Sequence, residues 1–417
     1  MNYEYFIAKR IISSKSYKSS ISAPIIKIGI AAIAIGLIVM MIAIATGIGL
    51  QQKIRDKVVA FNGHILITNY DSNNSDESII PISINQDFYP EFTSVEGVQH
   101  VQGVASKYGV IRTEKDFEAT YLKGVGADYN WKYFKDFLIE GKLPDYSNKR
   151  NEDVLVSKYL ANRLELKLNE TFQMVFIKDD PEKLPNIITY TIVGIYNSGF
   201  QDFDANYIIG DIRHIQRMNK WNKDDEGNYT EIGNFEVFID DYSELVEKGY
   251  EVYDNTPSEL NTQTITHKYS SIFEWIKIFD TNIYGIIGIM ILVAGINMIT
   301  ALLVLILERT QMIGVLKALG SSNWSIRKLF LYNASYLIIL GLFWGNILGL
   351  GLLLVQKYFK LFPLDPSVYY VTEVPVYINF SYILILNVGT LFLCLLMLLV
   401  PSYVITKISP VKAIRFE

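Results

Sequence analysis

The chain has 417 residues, of which 50% are apolar and 19% are charged, with a formal net charge of −5. This apolar share is high for a soluble protein, and the apolar residues are concentrated in four blocks that carry almost no charge. The single cysteine, Cys394, excludes an internal disulfide or a cysteine metal cluster, and the four histidines are not at ligand spacing. No G-x-x-x-x-G-K-[ST], H-E-x-x-H or G-x-S-x-G motif occurs, so we expect a non-catalytic chain without a cofactor or metal site of its own.

The first apolar block, Ile28–Leu50, is long enough to cross a membrane. Its 23 residues would extend about 35 Å as a helix, against a hydrocarbon thickness of about 30 Å. A cleaved signal peptide would have a shorter apolar core and a small-residue cleavage site, so we expect an uncleaved transmembrane helix over residues 24–50. Residues 1–23 are predicted to form a basic amphipathic helix on the cytoplasmic membrane face. The residues that indicate this helix are Tyr5, Phe6, Lys9, Arg10, Ile12, Lys15 and Lys18.

A large acidic domain is predicted over residues 51–272, between the first and second apolar blocks. The stretch Gln51–Ser271 has 36 acidic and 23 basic residues, a formal charge of −13, which leaves +8 for the rest of the chain. Alternating apolar residues predict strands, and cap residues followed by helical spacing predict helices, so we expect a mixed α+β fold. The predicted strands are 64–68, 104–111, 189–195, 207–210 and 235–239, and the predicted helices are 158–164, 212–218 and 243–249. The negative charge argues against a nucleic-acid partner.

Three further transmembrane helices are predicted, and four residues in them are candidates for helix packing. The predicted segments are helices at 279–307, 329–356 and 378–400, a short outer loop at 357–377 at the level of the lipid headgroups, and a cytoplasmic tail at 401–417. Gly341, Gly345 and Gly349 recur every four residues, which predicts close contact with a neighbouring helix. Asn297 is expected either to form a hydrogen bond across a helix interface or to line a substrate path.

The distribution of basic residues predicts the orientation in the membrane. Residues 1–27 carry five basic residues and one acidic residue, residues 308–328 carry four and one, and residues 401–417 carry three and one. Four membrane crossings place these three segments on the same side. By the positive-inside rule, both ends of the chain and the 308–328 segment are expected in the cytoplasm and the acidic domain outside.

The stretch between the second and third spans is not uniformly polar. Met312, Leu316 and Leu319 recur at helical spacing with Val315 beside them, which predicts a helix with an apolar face in the cytoplasm. Gly320 is predicted to end this helix. From the periodicity, two interpretations of the apolar face are open: it docks in a groove of a partner protein, or it lies on the lipid headgroups.

The same stretch resembles the coupling helix of the FtsX/MacB/LolCE superfamily of ABC transporter permeases. Its sequence ERTQMIGVLKALGSSNWSIRKLF is similar to the pattern E-R-x-x-E-I-G-x-[LM]-[KR]-A-[LI]-G-A-[ST]-x-x-x-I-x-x-x-F. In that superfamily the segment docks on a separate ATP-binding-cassette ATPase. Met312 stands where the family usually has glutamate, so a contact made by that acid is not carried over. By resemblance, the coupling helix and loop cover residues 308–328, and the ATPase-coupling residues are Glu308, Arg309, Met312, Ile313, Val315, Leu316, Lys317, Leu319 and Gly320.

The resemblance extends to the acidic domain and to the tail. VLVSKYLANRLELKLNETF is similar to the MacB/LolCE periplasmic domain, with Asn169 where glycine is usual and a left-handed backbone is expected. PVKAIRFE is similar to the family's terminal P-x-x-A-[IL]-R-x-E. The implied fold is a polytopic α-helical membrane protein with four transmembrane helices, both termini cytoplasmic, and one large α+β periplasmic domain between the first and second spans.

The order of segments, without a fused ATPase, resembles the LolC/LolE lipoprotein-releasing permeases most. This resemblance implies a non-catalytic subunit of the bacterial inner membrane, with ATP and Mg bound by the partner ATPase. The other implied partners are a second permease chain in a homo- or heterodimer, a lipoprotein substrate, a periplasmic carrier and membrane lipid. The implied function is to release lipoproteins from the inner membrane to the carrier.

Two other functions are open at this point. A MacB- or FtsX-like permease would use the same architecture for efflux or for the control of cell-wall hydrolases. A membrane-anchored receptor without an ATPase would use the apolar face of the 308–328 segment only against lipid.

Overall fold

The computed structural model describes residues 4–7, 10, 23–72, 76–178 and 182–409. Most of the predicted N-terminal helix and the whole PVKAIRFE motif therefore lie outside the described residues. The helices are α1 Ala23–Asn62, α2 Lys158–Arg163, α3 Gln201–Asn206, α4 Ile212–Met218, α5 Leu245–Asp254, α6 Ile265–Lys268, α7 Ser270–Glu308, α8 Thr310–Ala318, α9 Asn323–Phe359, α10 Pro366–Tyr369 and α11 Phe380–Leu399, followed by a 3-10 helix, Pro401–Lys407. The strands are β1 Ile65–Asn69, β2 Ile82–Ser83, β3 Val98–Arg112, β4 Phe117–Val125, β5 Leu138–Gly141, β6 Asp153–Ser157, β7 Thr171–Phe176, β8 Asn186–Tyr196, β9 Tyr207–Asp211, β10 Glu231–Ile232, β11 Asn234–Ile239 and β12 Leu260–Thr264.

The chain divides into two compact units. The helical unit comprises Met1–Gln51, Trp275–Pro363 and Glu373–Glu417 as far as these are described, and the α+β unit comprises Gln52–Glu274 and Leu364–Thr372. The fold class expected from the sequence, four apolar helices with an α+β domain between the first and second, is confirmed.

The predicted headgroup-level loop is an exception to the expected layout, because residues 364–372 belong to the α+β unit. The ring of Tyr370 stacks on the buried Phe200 with centroids 4.6 Å apart. The ammonium of Lys57 donates a hydrogen bond to the carbonyl of Tyr370 at 2.9 Å. Tyr370, which is half-buried, thus attaches the central part of this stretch to the α+β unit, and its position at the level of the lipid headgroups stays a prediction.

Within the described residues, four helices are long and apolar enough to cross a membrane. They are Pro24–Asn62, Ser270–Glu308, Asn323–Phe359 and Phe380–Lys407, with mean hydropathies of 2.9, 2.7, 2.3 and 2.8. α1 continues past the predicted span end at residue 50, and α7 begins before the predicted start at 279. The reason is that hydrophobicity marks the membrane crossing, whereas helix formation needs only helical spacing. Beyond residue 50, Ile54, Val58 and Phe61 keep that spacing and are buried.

The three glycines of the third span bring α9 against α1. A Cβ on Gly341 would lie 2.8 Å from Cβ of Ile33, and one on Gly345 would lie 3.0 Å from the carbonyl oxygen of Ala34. A Cβ on Gly349 would lie 3.2 Å from the sulfur of Met41. The neighbouring helix predicted from the glycine spacing is therefore α1, which packs closely against the three glycines of α9.

Asparagine side chains cross a helix interface elsewhere than predicted. Asn346 in α9 and Asn387 in α11 exchange amide hydrogen bonds of 2.7 and 3.0 Å. Asn297 instead donates to the carbonyl of Val293 in its own helix, at 2.9 Å. Among the described residues Asn297 has no hydrogen bond to another helix, and the two roles predicted for it, a bond across an interface or the lining of a substrate path, stay predictions.

The α+β unit is built on a ten-stranded mixed sheet in the order β12-β1-β11-β3-β4-β9-β6-β8-β5, with β7 paired to both β3 and β8. Pairs β4–β9 and β6–β8 are parallel, and the other strand pairs of this sheet are antiparallel. The first half of β3 pairs with β11 and its end pairs with β7, so this long strand joins two parts of the sheet. The five predicted strands and three predicted helices are present, and Asn169 has the expected left-handed φ of +66°.

A buried ion pair fixes the end of α1 to this sheet. Lys123 in β4 and Glu236 in β11 are 2.5 Å apart, with both side chains almost fully buried. Lys123 also donates to the carbonyl of Phe61 near the end of α1, and Gln102 donates to Glu236 at 2.8 Å. Removal of one partner would leave a buried, uncompensated charge, so this group of residues makes the position of the helix end specific.

His64, next to the end of α1, is a second buried polar group. Its Nδ1 accepts the backbone N–H of Ile239 at 3.1 Å. Burial, with a smaller contribution from Arg55, lowers the pKa of His64 from 6.5 to about 4. Because the unfolded chain binds this proton before the folded chain does, stability from this group is complete above about pH 6.5 and is lost as the pH falls towards 4.

We expect Gly341→Ala to destabilise the helical unit by about 1–3 kcal/mol, because the new methyl group meets Cβ of Ile33 and a backbone carbonyl. Gly351→Ala in the same helix is the matched control, since no described atom lies within 4 Å of its added Cβ. It should leave stability unchanged or raise it by up to about 1 kcal/mol through helix propensity. Thermal unfolding of the full chain in detergent measures both, and equal melting temperatures for the two variants would contradict the packing assignment.

We expect the free energy of unfolding of the α+β unit to fall by about 2 kcal/mol through His64 when the pH is lowered from 8 to 5. His64→Asn keeps an acceptor near the N–H of Ile239 and does not titrate, so it should remove this part of the pH dependence. Pulse proteolysis of the full chain in urea at the two pH values measures the difference. An identical pH dependence in the wild type and the variant would show that His64 titrates normally.

Candidate functional site

The segment between the second and third spans forms a short helix, α8, that is nearly continuous with α7. A single non-helical residue, Arg309 (φ −102°, ψ 18°), separates the two helices. The hydroxyl of Thr310 donates to the carbonyl of Leu307 at 2.7 Å and so satisfies a carbonyl at the break. The direction of α8 relative to α7 is therefore set by the backbone conformation of one residue, Arg309.

The end of α8 is a glycine-terminated helix cap. Gly320 has φ +90°, and its N–H donates to the carbonyl of Lys317 at 3.0 Å. The N–H of Ser321 donates to the carbonyl of Leu316 at 3.0 Å, which completes a Schellman motif. The hydroxyl of Ser322 then accepts the N–H of Ser325 and caps α9. The helix stop predicted at Gly320 is confirmed, and only three residues separate the cap residue Leu319 from the start of α9.

The apolar stripe predicted on α8 is divided between inside and outside. Met312 and Leu316 are half-buried against the core of the helical unit, and Ile313 is fully buried. Val315 and Leu319 are exposed, at 45% and 78% of their surface. The outer face, as we call it, consists of Gln311, Val315, Ala318 and Leu319. Ile313 therefore attaches α8 to its own unit, because a buried side chain has no surface to offer a partner.

Lys317 and Arg309, the two basic residues among the predicted ATPase-coupling residues, lie in different surroundings. The ammonium of Lys317 donates to the carbonyls of Ile405 and Ile408 at 2.8 Å each, and burial lowers its pKa. Arg309 is half-buried, and its Nε has no hydrogen-bond partner among the described residues. Glu308 and Gly320 are exposed at the two ends of the segment.

Arg327 at the start of α9 belongs to this site although sequence reasoning did not single it out. Its Nε donates to the hydroxyl of Ser402 at 3.0 Å, and its Nη2 donates to the carbonyl of Leu399 at 2.9 Å. The sequence shows a basic residue here but not its partners. All three acceptors of Lys317 and one acceptor of Arg327 are backbone carbonyls, which any residue type supplies. Gln311 and Ala318 of the outer face were missed for a similar reason: neither is apolar enough to mark a face.

Family comparison covers both units. The model of the "MacB-like periplasmic core domain" matches residues 28–240, just over half of the chain, and that of the "FtsX-like permease C-terminal" matches residues 284–410, which include α8 and α9. The chain belongs to the FtsX- and MacB-like family of ABC transporter permeases. As a permease of this family it is a multi-pass protein of the inner membrane with its α+β unit in the periplasm. Because α8 follows the second span, it lies on the cytoplasmic side.

Individual relatives of this permease are distant in sequence. It is 23% identical to the lipoprotein-releasing system transmembrane protein LolC of Buchnera aphidicola subsp. Schizaphis graminum, over 94% of each chain. It is 27% identical to the ABC transporter permease YtrF of Bacillus subtilis, over 53% of this chain and 51% of YtrF. The crystal structure of the periplasmic region of MacB from Actinobacillus actinomycetemcomitans is similar to 51% of this chain over 92% of its own length, with 14% identity and a TM-score of 0.32.

Proposed function

We propose that this permease docks a separate ABC ATPase on the outer face of α8 and couples ATP hydrolysis there to a conformational change in the periplasm. The observation that carries the proposal is the exposure of Leu319 and Val315 on a cytoplasmic helix that short connections join to the second and third spans. Burial of one such side chain in a partner groove contributes about 1.5–3 kcal/mol to binding. An apolar helix face that inserts into a groove is a common mode of recognition between proteins.

Charge favours a protein partner over lipid for this face. A helix that lies on anionic headgroups usually flanks its apolar face with lysine and arginine. Here Lys317 is turned onto backbone carbonyls, while the acidic Glu308 and the neutral Gln311 are exposed.

The short connections of α8 support a mechanical role. One residue joins it to α7 and a tight cap joins it to α9, so displacement of α8 would move the ends of the second and third spans. In the proposed mechanism, ATP and Mg bind to the partner ATPase, and the permease contributes no catalytic group. Two ATPase subunits that close on nucleotide would each move one α8, which requires a second permease chain related by approximate two-fold symmetry.

For the output of this movement we propose the release of lipoproteins from the inner membrane to a periplasmic carrier. The name of the LolC relative, which is similar to this chain over 94% of both lengths, supports this choice. The physics agrees, because withdrawal of acyl chains from a bilayer costs about 0.8 kcal/mol for each CH₂ group and a lipid anchor carries many of them. An external energy source is then required.

A second output is favoured by a different observation. The two matching family models are named for MacB and FtsX, and YtrF is similar to half of the chain. A permease of that kind would use the same docking helix to drive efflux or to control cell-wall hydrolases. The docking proposal is common to both outputs, so the two can be tested separately.

We expect Leu319→Asp to weaken ATPase binding at least about tenfold, because a charge replaces an apolar group in the proposed groove. Leu319→Met, which keeps an apolar side chain of similar volume, should bind like the wild type. Val404→Asp, an exposed valine of the neighbouring 3-10 helix, is the control for a general effect of added charge. The measurement is the dissociation constant of the purified ATPase for the permease in nanodiscs. Unchanged binding by Leu319→Asp would support the lipid interpretation.

We expect depletion of the permease in its host to trap outer-membrane lipoproteins at the inner membrane. Wild-type permease should restore their sorting, and Leu319→Asp should not, because it would lack its energy source. Membrane fractionation on a density gradient, followed by detection of acylated proteins, measures the distribution. Normal sorting after depletion would count against lipoprotein release and in favour of the second output.

A further inference from the structure

The cytoplasmic end of the fourth span has no covalent link to α8 on its own side of the membrane. α9 leads away from α8 across the membrane, and the chain returns through α11 to the 3-10 helix Pro401–Lys407. A movement of α8 therefore reaches the second and third spans through the backbone. It reaches the fourth span on this side through non-covalent contacts.

Lys317 provides the first of these contacts. Its ammonium donates to the carbonyls of Ile405, Thr406 and Ile408 at 2.8, 3.3 and 2.8 Å. These carbonyls lie at the end of the 3-10 helix, where the last carbonyls of a helix have no partner within it. A cation at this end also interacts favourably with the helix dipole. The ammonium thus has three carbonyl acceptors in this one turn.

Arg327 provides the second contact, one turn earlier on the 3-10 helix. It donates to the hydroxyl of Ser402 and to the carbonyl of Leu399, and that hydroxyl donates to the same carbonyl at 2.7 Å. The guanidinium carbon lies 5.2 Å from the ring centroid of Trp324 and 5.9 Å from that of Tyr403. Since Ser402 is fully buried, the planar guanidinium is held in one orientation.

The elements that carry these two cations also share apolar contacts. Ile405 and Leu398 are fully buried in the same core as Ile313 of α8 and Phe330 of α9. α8, the start of α9 and the cytoplasmic end of the fourth span therefore share one packed core. Apolar contacts alone would allow the helices to slide against one another. The charge-assisted hydrogen bonds at the edge of this core have a preferred geometry and therefore restrict such sliding.

We propose that Lys317 and Arg327 form a clamp that makes α8, the start of α9 and the end of the fourth span move as one body. Through the clamp, a displacement of α8 moves the fourth span directly. The same displacement moves the second and third spans through the backbone. The source of that displacement rests on the proposed function, whereas the clamp itself is a property of this chain. Lys317 is then a positioning residue, in contrast to the expectation from the sequence that it contacts the ATPase.

The first experiment tests the clamp in the permease alone, without an ATPase. Spin labels are placed at Gln311→Cys on α8 and Val404→Cys on the 3-10 helix, in a Cys394→Ser background that removes the single native cysteine. Double electron–electron resonance in nanodiscs should give one narrow distance distribution for this chain. We expect Lys317→Met to broaden it or to add a second distance, and Lys317→Arg, which keeps a cationic donor, to preserve the narrow distribution.

The second experiment uses the permease with its ATPase and no labels. We expect Lys317→Met to keep the ATPase dissociation constant of the wild type, while the amount of cargo released for each ATP hydrolysed falls several-fold. Lys317→Arg should restore the release. This split between binding and coupling is a readout that a loss of folding would not produce, because misfolding would reduce both.

Arg327→Lys and Lys317→Gln are the second variants, to be used if Lys317→Met does not fold. Each removes part of the hydrogen bonding and should broaden the distance distribution less than Lys317→Met would. A narrow distribution in all the clamp variants overturns the clamp, whether or not an ATPase binds. A narrow distribution together with loss of ATPase binding assigns Lys317 to the docking contact and also overturns it. Failure of the wild type to bind an ATPase would contradict the proposed function and leave the first experiment valid.

Discussion

The close contact between the first and third spans is the constraint on which the helical unit depends. Apolar burial gives no preference between a helix and lipid, so helices associate in a bilayer through close packing and hydrogen bonds. Gly341 and Gly345 let the backbone of α9 approach α1 closely enough that a methyl group would collide with it. This contact sets the rotation of α9 about its axis. The same rotation presents Asn346 to Asn387 in α11 and aims Arg327 at the end of the fourth span. The position of α8 follows, because a connection of only four residues joins it to α9.

Three lysines each donate a hydrogen bond to a backbone carbonyl at or next to the end of a helix. The last carbonyls of a helix have no partner within it, and a cation can satisfy them at a buried end. Lys123 donates to Phe61 near the end of α1, Lys57 donates to Tyr370 just after α10, and Lys317 donates to the end of the last 3-10 helix. Each lysine comes from a different part of the chain than the carbonyl that it binds. These contacts therefore fix the ends of elements to one another, where apolar packing alone would permit sliding.

The division of α8 into a buried and an exposed half connects this architecture to function. Ile313 and half of the apolar stripe hold the helix on its own unit, and Val315 and Leu319, which are proposed to meet the ATPase, remain exposed. A docking helix must be attached firmly enough to transmit a displacement and still expose apolar surface. A short helix meets both demands only if its apolar residues cover more than one face. The proposed docking role therefore explains why the apolar stripe of α8 is wider than its packing on the helical unit requires. A segment that only connected two spans would not need the additional apolar residues.

From the sequence alone, the four spans, their orientation, the α+β character of the periplasmic unit and the helix stop at Gly320 could be predicted. All of these depend on local properties, namely the length of apolar runs, the alternation of residues, the balance of charge and the conformational freedom of glycine. Which face of α8 is exposed, which asparagines pair and which carbonyls Lys317 binds were decided by the tertiary structure. Asn297 and Asn346 look alike in the sequence, and both donate to a carbonyl of their own helix, but only Asn346 lies where its amide also meets an asparagine of another helix. A backbone carbonyl has no signature in a sequence, so contacts made to carbonyls become visible only when the fold brings distant parts of the chain together.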